Sequence, residues 1–338
     1  MRALRYHGPK KPLRLEDVPT PEPGPGEVLV RVTAAGICHT ELHFLTGLLD
    51  LGIAPLTLGH EIVGRIEKVG AGVPAARVGE RAIVYYYVGC GACPHCLRGD
   101  ENLCDAMRAE YGFVSDGGFA DYVRAPARNA IPLPASVTDA AAAPIGCGVT
   151  TALHAARIAS VGLGDWVVVY GAGAVGYGLV QVARLRGARV IAVGRTPAKL
   201  DAARALGAEH VVRAGAEDVA GRVRELTGGR GADAVFELVA TRETMEASAK
   251  MLAKRGRLVF VGYSEDSFTV HPIQLVVGEQ IVTASVGNTL AELKEAVDLV
   301  ASGRVRTVVD RTLPLEKFEE GFAALRDGRL VGRAVLLP

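Results

Sequence analysis

Apolar positions along the chain change their spacing near residue 150. Before that point they come in short alternating or β-rich stretches, over 3–6, 27–32 and 64–70, with a turn leading into another strand over 78–84. Glycine and proline punctuate them, and residues 19–26, rich in both, form a rigid loop between the first two. Many short strands of this kind predict a β-rich, barrel-like domain. After residue 150 longer periods take over. A helix is predicted over 150–160, a buried strand over 165–170, a helical segment to about residue 186 and a strand over 189–194. Further strands are expected at 210–212, 234–238, 258–261 and 281–284, which makes six with the two already named. The tail from about 287 holds a helical stretch over 290–302 and strand-like pieces at 307–309 and 334–337. It is too short for its own core, so it is expected to return to the first domain. The reading is therefore a domain over 1–149 rejoined by 287–338, and a second over 150–286.

Charge excludes two classes of partner. Lys plus Arg is 38 and Asp plus Glu is 37, so no overall field draws the chain to nucleic acid or membrane. No apolar run reaches the length of a membrane span. The stretch Met1-Arg2-Ala3-Leu4-Arg5-Tyr6-His7 lacks an apolar core, so no secretion signal is expected and the address reads as cytoplasmic. Arg greatly outnumbers Lys, and Asn, Gln and Met are scarce; heat stability and a GC-rich genome both give that bias. Six cysteines in such a chain suggest metal or catalysis before disulfides.

The candidate chemistry centres on Gly36-Ile37-Cys38-His39-Thr40-Glu41-Leu42-His43. Cys38 is a candidate soft metal ligand, and Thr40 and His43 are candidate proton carriers. Gly59-His60-Glu61 adds an imidazole and a carboxylate, and Cys147 a second thiolate. Two cysteines and one histidine with an open fourth position make a catalytic zinc set. Each piece alone also reads as a small buried cysteine or a surface histidine. A second signal is Cys90, Cys93, Cys96 and Cys104, four thiols in one Gly/Pro-containing loop. Their spacing lets all four converge on one tetrahedral Zn²⁺, and a closed shell of thiolates is structural. A redox pair needs only two thiols, and a cytosolic address disfavours disulfides; His95, inside the loop, is a bystander. A third signal is Gly171-Ala172-Gly173-Ala174-Val175-Gly176, placed between a strand and a helix within a βαβ unit. Gly171 permits the turn, Gly173 lets backbone approach a pyrophosphate at the helix N-terminus, and Gly176 lets helix and strand pack closely.

Together, and in this order, these pieces resemble the zinc-dependent alcohol dehydrogenases of the medium-chain dehydrogenase/reductase family, over essentially the whole chain. The resemblance implies an α/β fold, with a Rossmann dinucleotide-binding domain beside the β-rich catalytic domain. It assigns Cys38, His60 and Cys147 to a catalytic zinc, with Glu61 close by and able to take the fourth position. Glu41 stands where the family more often has Asp, which orients the ligand histidine. By the same resemblance Thr40 contacts the alcohol oxygen and His43 ends a proton relay. His39 and Arg333 contact the cofactor pyrophosphate, and Lys199 the adenosine ribose. Tyr86 is placed in the substrate pocket, with a strand-core role as the alternative. Where an NAD site usually has Asp or Glu, this chain has Gly194, followed by Arg195 and Thr196. Without that carboxylate a 2′-phosphate is not repelled, and Arg195 is able to bind one, so NADP is expected slightly ahead of NAD. Two zinc ions per chain are expected, and a homo-dimer or homo-tetramer joined at a sheet edge around 282–285. The substrate is expected to be a primary or secondary alcohol or the matching aldehyde or ketone. A polyol or amino alcohol is the alternative within the family. A catalytically silent nucleotide-binding module and a zinc-free quinone reductase of the same fold are disfavoured by the complete ligand and relay set.

Overall fold

In the computed structural model, which describes Met1–Pro338, the longest strand, Glu27–Ile37, carries most of the first sheet. Its residues are mostly buried, and two register shifts against Glu61–Val69 bend it, one between Leu29 and Val30 and one between Val32 and Ala34. Such irregularities increase local twist and let a short sheet curl. The seven-stranded sheet runs Ala130–Pro132, Arg81–Val84, Glu61–Val69, Glu27–Ile37, Arg333–Leu337, Val309–Pro314, with Tyr122–Pro126 also paired to Glu27–Ile37. A three-stranded sheet has the order Arg14–Asp17, Arg2–Tyr6, Leu56–Thr57. The last strand pairs antiparallel with Glu27–Ile37, Ala334 facing Ile37. The C-terminal tail thus joins the sheet whose longest strand leads into Cys38.

The chain divides into two compact units. One comprises Met1–Cys147, Asn288–Gly303 and Thr307–Pro338; the other comprises Gly148–Gly287 and Arg304–Arg306. The second unit is built on a six-stranded parallel sheet in the order His210–Arg213, Arg189–Gly194, Trp166–Tyr170, Ala232–Glu237, Leu252–Phe260, Ile281–Ala284. Counted along the chain this is 3-2-1-4-5-6, the order of doubly wound dinucleotide-binding sheets. Val168, Ile191, Val235 and Leu258 are fully buried in its core. Helices cover both faces, which is why the central strands read as continuous apolar runs rather than as alternation. The order reverses between Trp166–Tyr170 and Ala232–Glu237, and the glycine-rich turn follows the first of these. A crevice at that reversal is where such sheets take ligands.

Element bounds differ from the expectations in places. The helix expected over 150–160 runs Gly148–Ile158. The strand expected at 307–309 runs Val309–Pro314, because Thr307 donates its hydroxyl to the carbonyl of Ala141 at 2.7 Å and precedes the ladder. The helix Pro272–Gly278 has no counterpart in the sequence reading.

Candidate metal and cofactor site

Cys38 directly follows the longest strand and caps the helix His39–Thr46. His60 precedes and Glu61 opens the neighbouring strand, and the register sets Glu61 opposite Gly36. Cys147 follows the tight turn Ala143–Gly146. These elements bring donor atoms of Cys38, His60, Glu61 and Cys147 within 4.8 Å of one another, all buried.

Glu41 organises the cluster from outside. One carboxylate oxygen, Oε2, accepts the Cys38 backbone N–H at 2.7 Å, and Oε1 lies 2.8 Å from His60 Nδ1. Glutamate is long enough to reach both. With Nδ1 engaged, His60 presents Nε2 to the cluster, the usual arrangement of a ligand histidine. Glu61 is fully buried; its Oε1 accepts from Arg333 Nη2 at 2.6 Å, while Oε2 has no hydrogen-bond partner. That oxygen lies where a side chain at residue 36 would begin, and a Cβ on Gly36 would overlap it.

Charge is tightly coupled here. A hydrogen bond from Cys147 holds the Cys38 thiol well below its ordinary value, with burial opposing and Arg333 assisting. The same bond, and burial, push Cys147 up. Burial pushes Glu61 up to about 7, with Arg333 opposing. Burial works to lower His60, but Glu41 and Cys38 outweigh it and raise the imidazole well above its usual range. Two thiols, an imidazole and an unpartnered carboxylate oxygen in a dry pocket suit a borderline-soft ion such as Zn²⁺ and do not suit Mg²⁺ or Ca²⁺.

Thr40 Oγ1 lies 3.6 Å from Cys38 Sγ, and His43 lies one helical turn further on. Burial lowers the His43 imidazole. His39 is exposed, its ring 5.1 Å from that of His43. Arg333, expected at a pyrophosphate, here donates to Glu61, and its buried Nε keeps one unpartnered donor. Tyr86 is buried between the strands Arg81–Val84 and Tyr87–Val88 rather than inside either. Its ring is 5.3 Å from His60 and stacks on Phe113, which itself lies 5.1 Å from His60. Phe113, on the turn after the cysteine loop, escaped the sequence reading. Its proximity follows the pairing between Tyr87 and Glu110, which no local pattern announces.

The donor sulfurs of Cys90, Cys93, Cys96 and Cys104 also lie within 4.8 Å of one another. Backbone N–H groups point at them: Cys90 N to Cys104 Sγ at 3.1 Å, Cys93 N to Cys90 Sγ at 3.3 Å, Cys96 N to Cys93 Sγ at 3.5 Å. Such donors stabilise thiolates, the form that binds metal. His95 is not in this donor group; Arg98 and Asp105 are its neighbours.

In the second unit, Gly171 has φ +126°, and a Cβ there would crowd Leu238. A Cβ on Gly176 would overlap the carbonyl of Gly171. Both glycines are needed by the protein's own packing. Gly173 is different: it is exposed, it caps the helix Ala174–Leu185, and nothing lies within 4 Å of where its Cβ would be. Open space before a helix N-terminus, beside Ala174 and Val175, suits a phosphate group. Gly194 ends the second strand, Arg195 and Thr196 are exposed, and Lys199 lies on the helix Pro197–Ala205.

Comparison with known proteins bears on the family and the fold. Residues 24–135 match the alcohol dehydrogenase GroES-like domain, and residues 174–302 match the zinc-binding dehydrogenase domain. The chain is 36% identical over 331 residues to an alcohol dehydrogenase of Geobacillus stearothermophilus, covering 97% of this chain and 96% of that protein. It is 36% identical over 349 residues to an NAD-dependent alcohol dehydrogenase of Sulfurisphaera tokodaii, covering 100% of each. Among solved structures, the alcohol dehydrogenase of Aeropyrum pernix superposes with a TM-score of 0.94 at 35% identity, covering 100% of both chains. The acetophenone reductase of Geotrichum candidum, solved with NAD, gives 0.91 at 30% identity, covering 100% of this chain and 97% of that one.

Proposed function

The chain belongs to the zinc-type medium-chain alcohol dehydrogenases, and on that premise we propose that it interconverts a primary or secondary alcohol and its aldehyde or ketone with a nicotinamide dinucleotide. The observation that carries this reading is the buried group of Cys38, His60, Glu61 and Cys147, with Thr40 beside Cys38.

Cys38, His60 and Cys147 would hold a zinc ion, with Glu61 as an alternating fourth donor. A zinc ion there supplies Lewis acidity that brings an alcohol proton within reach of neutral pH, and the nicotinamide supplies the hydride acceptor. The chain's own residues do the rest. Glu41 fixes the His60 ring and the Cys38 backbone together. Thr40 would take the alcohol proton, and His43, its imidazole lowered by burial, would receive it at the outer end. Arg333 holds Glu61 by one donor and keeps its Nε for an anion. Tyr86 and Phe113 form an aromatic wall that keeps water from the reacting carbon. The second cysteine group would hold a further, structural zinc.

Gly173 and the following helix N-terminus would take the cofactor pyrophosphate. The Sulfurisphaera enzyme is named NAD-dependent. In this chain the absence of a carboxylate at Gly194 and the presence of Arg195 support acceptance of NADP, slightly ahead of NAD. A homo-oligomer is supported by the edge strand Ile281–Ala284 and by the nearby helix Pro272–Gly278, on which Ile273, Val276 and Val277 are 70%, 74% and 71% exposed. No helix is long and apolar enough to cross a membrane, and a reducing, cytoplasmic setting would keep the six thiols available for metal.

A panel of alcohols and carbonyls, assayed with both cofactors on zinc-loaded protein, tests the reading. Alcohol-dependent reduction of the nicotinamide is expected. Tight dinucleotide binding without turnover of any alcohol or carbonyl would favour the silent nucleotide-binding module instead.

A further inference from the structure

Asn288 has a structural use for its carbonyl and an incomplete one for its side chain. It stands just before Thr289, which caps the helix Leu290–Ala301. The Thr289 hydroxyl accepts from Glu292 N at 3.2 Å, and Glu292 Oε2 accepts the Thr289 N–H at 2.7 Å. The Asn288 carbonyl accepts from the Tyr85 hydroxyl at 2.7 Å. Its carboxamide is fully buried. Nδ2 donates to the Tyr86 hydroxyl at 3.4 Å, and Oδ1 has no partner. Turning the amide over exchanges its two ends and still leaves one of them unpaired. A buried amide end without a partner is costly, and leucine would fill similar space without that cost.

The phenol that the amide meets is fixed beside the metal cluster. Asn129 Nδ2 donates to the carbonyls of Tyr85 and Tyr87 at 2.9 and 2.7 Å, and the Tyr86 carbonyl accepts from Tyr111 N at 3.0 Å. The backbone on both sides of Tyr86 is therefore held, which sets where its ring lies. That ring stands edge-on to His60 at 5.3 Å and stacks on Phe113, whose own ring is 5.1 Å from His60. The Tyr86 hydroxyl is shared between Asn288 and Tyr87. The wall beside His60 is thus aromatic, and its polar point is the Tyr86 hydroxyl backed by the Asn288 amide.

We propose that the Tyr86 hydroxyl, positioned by Asn288, binds the second hydroxyl of a diol whose other hydroxyl-bearing carbon reacts at the Cys38–His60–Cys147 cluster. This rests on the alcohol dehydrogenase reading and names its substrate class. A hydroxyl both donates and accepts, and so can join the Tyr86–Asn288 pair whichever way the amide is turned. An alkyl chain does neither. Tyr86 makes the contact, and Asn288 acts through it. A site built around a buried polar group discriminates against an analogue that leaves it unpaired. Plain alkanols should accordingly be the poorer substrates.

The test compares, on the zinc-loaded enzyme with its preferred cofactor, 1,2-, 1,3- and 1,4-diols with 1-alkanols of equal carbon number. The expected result is a higher kcat/KM for the diol than for the alkanol at one or more spacings. Tyr86→Phe keeps the ring and removes the hydroxyl; it should lower that ratio by about tenfold, chiefly through KM. Asn288→Leu keeps the carbonyl that Tyr85 uses, and should lower the ratio in the same sense. Added to Tyr86→Phe it should lower the ratio no further, because both act through one hydroxyl. Calorimetric binding of the diol to the enzyme holding reduced cofactor should weaken in parallel, without any turnover. The ordering in the unaltered enzyme tests the idea even where a variant does not fold. Preference for alkanols at every spacing would overturn the assignment alone. So would a ratio unmoved by Tyr86→Phe, the result expected if a buried water completes the amide. Additive losses in the double variant would remove Asn288 from its positioning role. Failure of the unaltered enzyme to turn over any alcohol would overturn this proposal together with the reading beneath it.

Discussion

Glu41 and Gly36 show how single side chains shape the metal cluster without belonging to its donor set. Glu41 accepts from two groups at once, the Cys38 N–H and His60 Nδ1. Glutamine has one acceptor oxygen and would meet the second donor with its own NH₂. Glu41→Gln should therefore weaken zinc affinity by about 10- to 100-fold, measured by competition with a chelator; unchanged affinity would remove Glu41 from its orienting role. Gly36 gives up its side chain so that Glu61 Oε2 has room. Gly36→Ala should displace Glu61 from Arg333, at a cost of about 1–3 kcal/mol in stability together with lost turnover. A variant with full activity and an unshifted melting temperature would contradict this. At Gly194 an added Cβ would lie 3.3 Å from that of Ala172 and 3.4 Å from Leu200, tight but possible with a small local shift. Gly194→Asp should then move preference towards NAD, by bonding the ribose 2′-OH and repelling a 2′-phosphate. Arg195→Ala should weaken NADP relative to NAD by about tenfold or more. The readout is kcat/KM for both cofactors at fixed alcohol. A strong NAD preference in the unaltered enzyme, with the ratio unmoved by Arg195→Ala, would remove the 2′-phosphate contact and leave the metal chemistry untouched.

Elements were legible in the sequence where one force dominated. The Trp166–Tyr170 and Arg189–Gly194 strands are apolar because helices cover both faces, so the pattern and the glycine turn between them were readable. The Leu252–Phe260 strand was read only in its second half, since Lys254, Arg255 and Gly256 interrupt the apolar run and Arg255 takes φ +62°. The helix Pro272–Gly278 was missed because its apolar residues face outward and mark no buried side. Sites followed the same rule. Thiols and histidines declare their chemistry by type and spacing, whereas Phe113 reaches the cluster only through pairing of its turn with a strand more than twenty residues earlier. The four-cysteine loop is the extreme legible case, with short spacing and one available function. Replacing any one of Cys90, Cys93, Cys96 or Cys104 by serine should remove its metal and lower the melting temperature, because metal binding contributes directly to local folding. Two zinc ions retained with no change in melting temperature would contradict a structural role.

At the scale of the whole molecule, the second unit presents an exposed sheet edge and an outward apolar helix on adjacent elements. Joint replacement of Ile273 and Val276 by lysine should dissociate the proposed homo-oligomer, and light scattering on the unaltered protein at working concentration should report more than one chain. A monomer there would overturn the assembly. The central claim is narrower: Cys38, His60 and Cys147 hold a catalytic zinc that is separate from the metal of the four-cysteine loop. Its most direct test is zinc content and alcohol-dependent nicotinamide reduction measured together on Cys147→Ala. The account predicts two zinc ions per chain in the unaltered protein, then one ion, a folded chain and no turnover in the variant. Two ions retained with alcohol oxidation intact would contradict it.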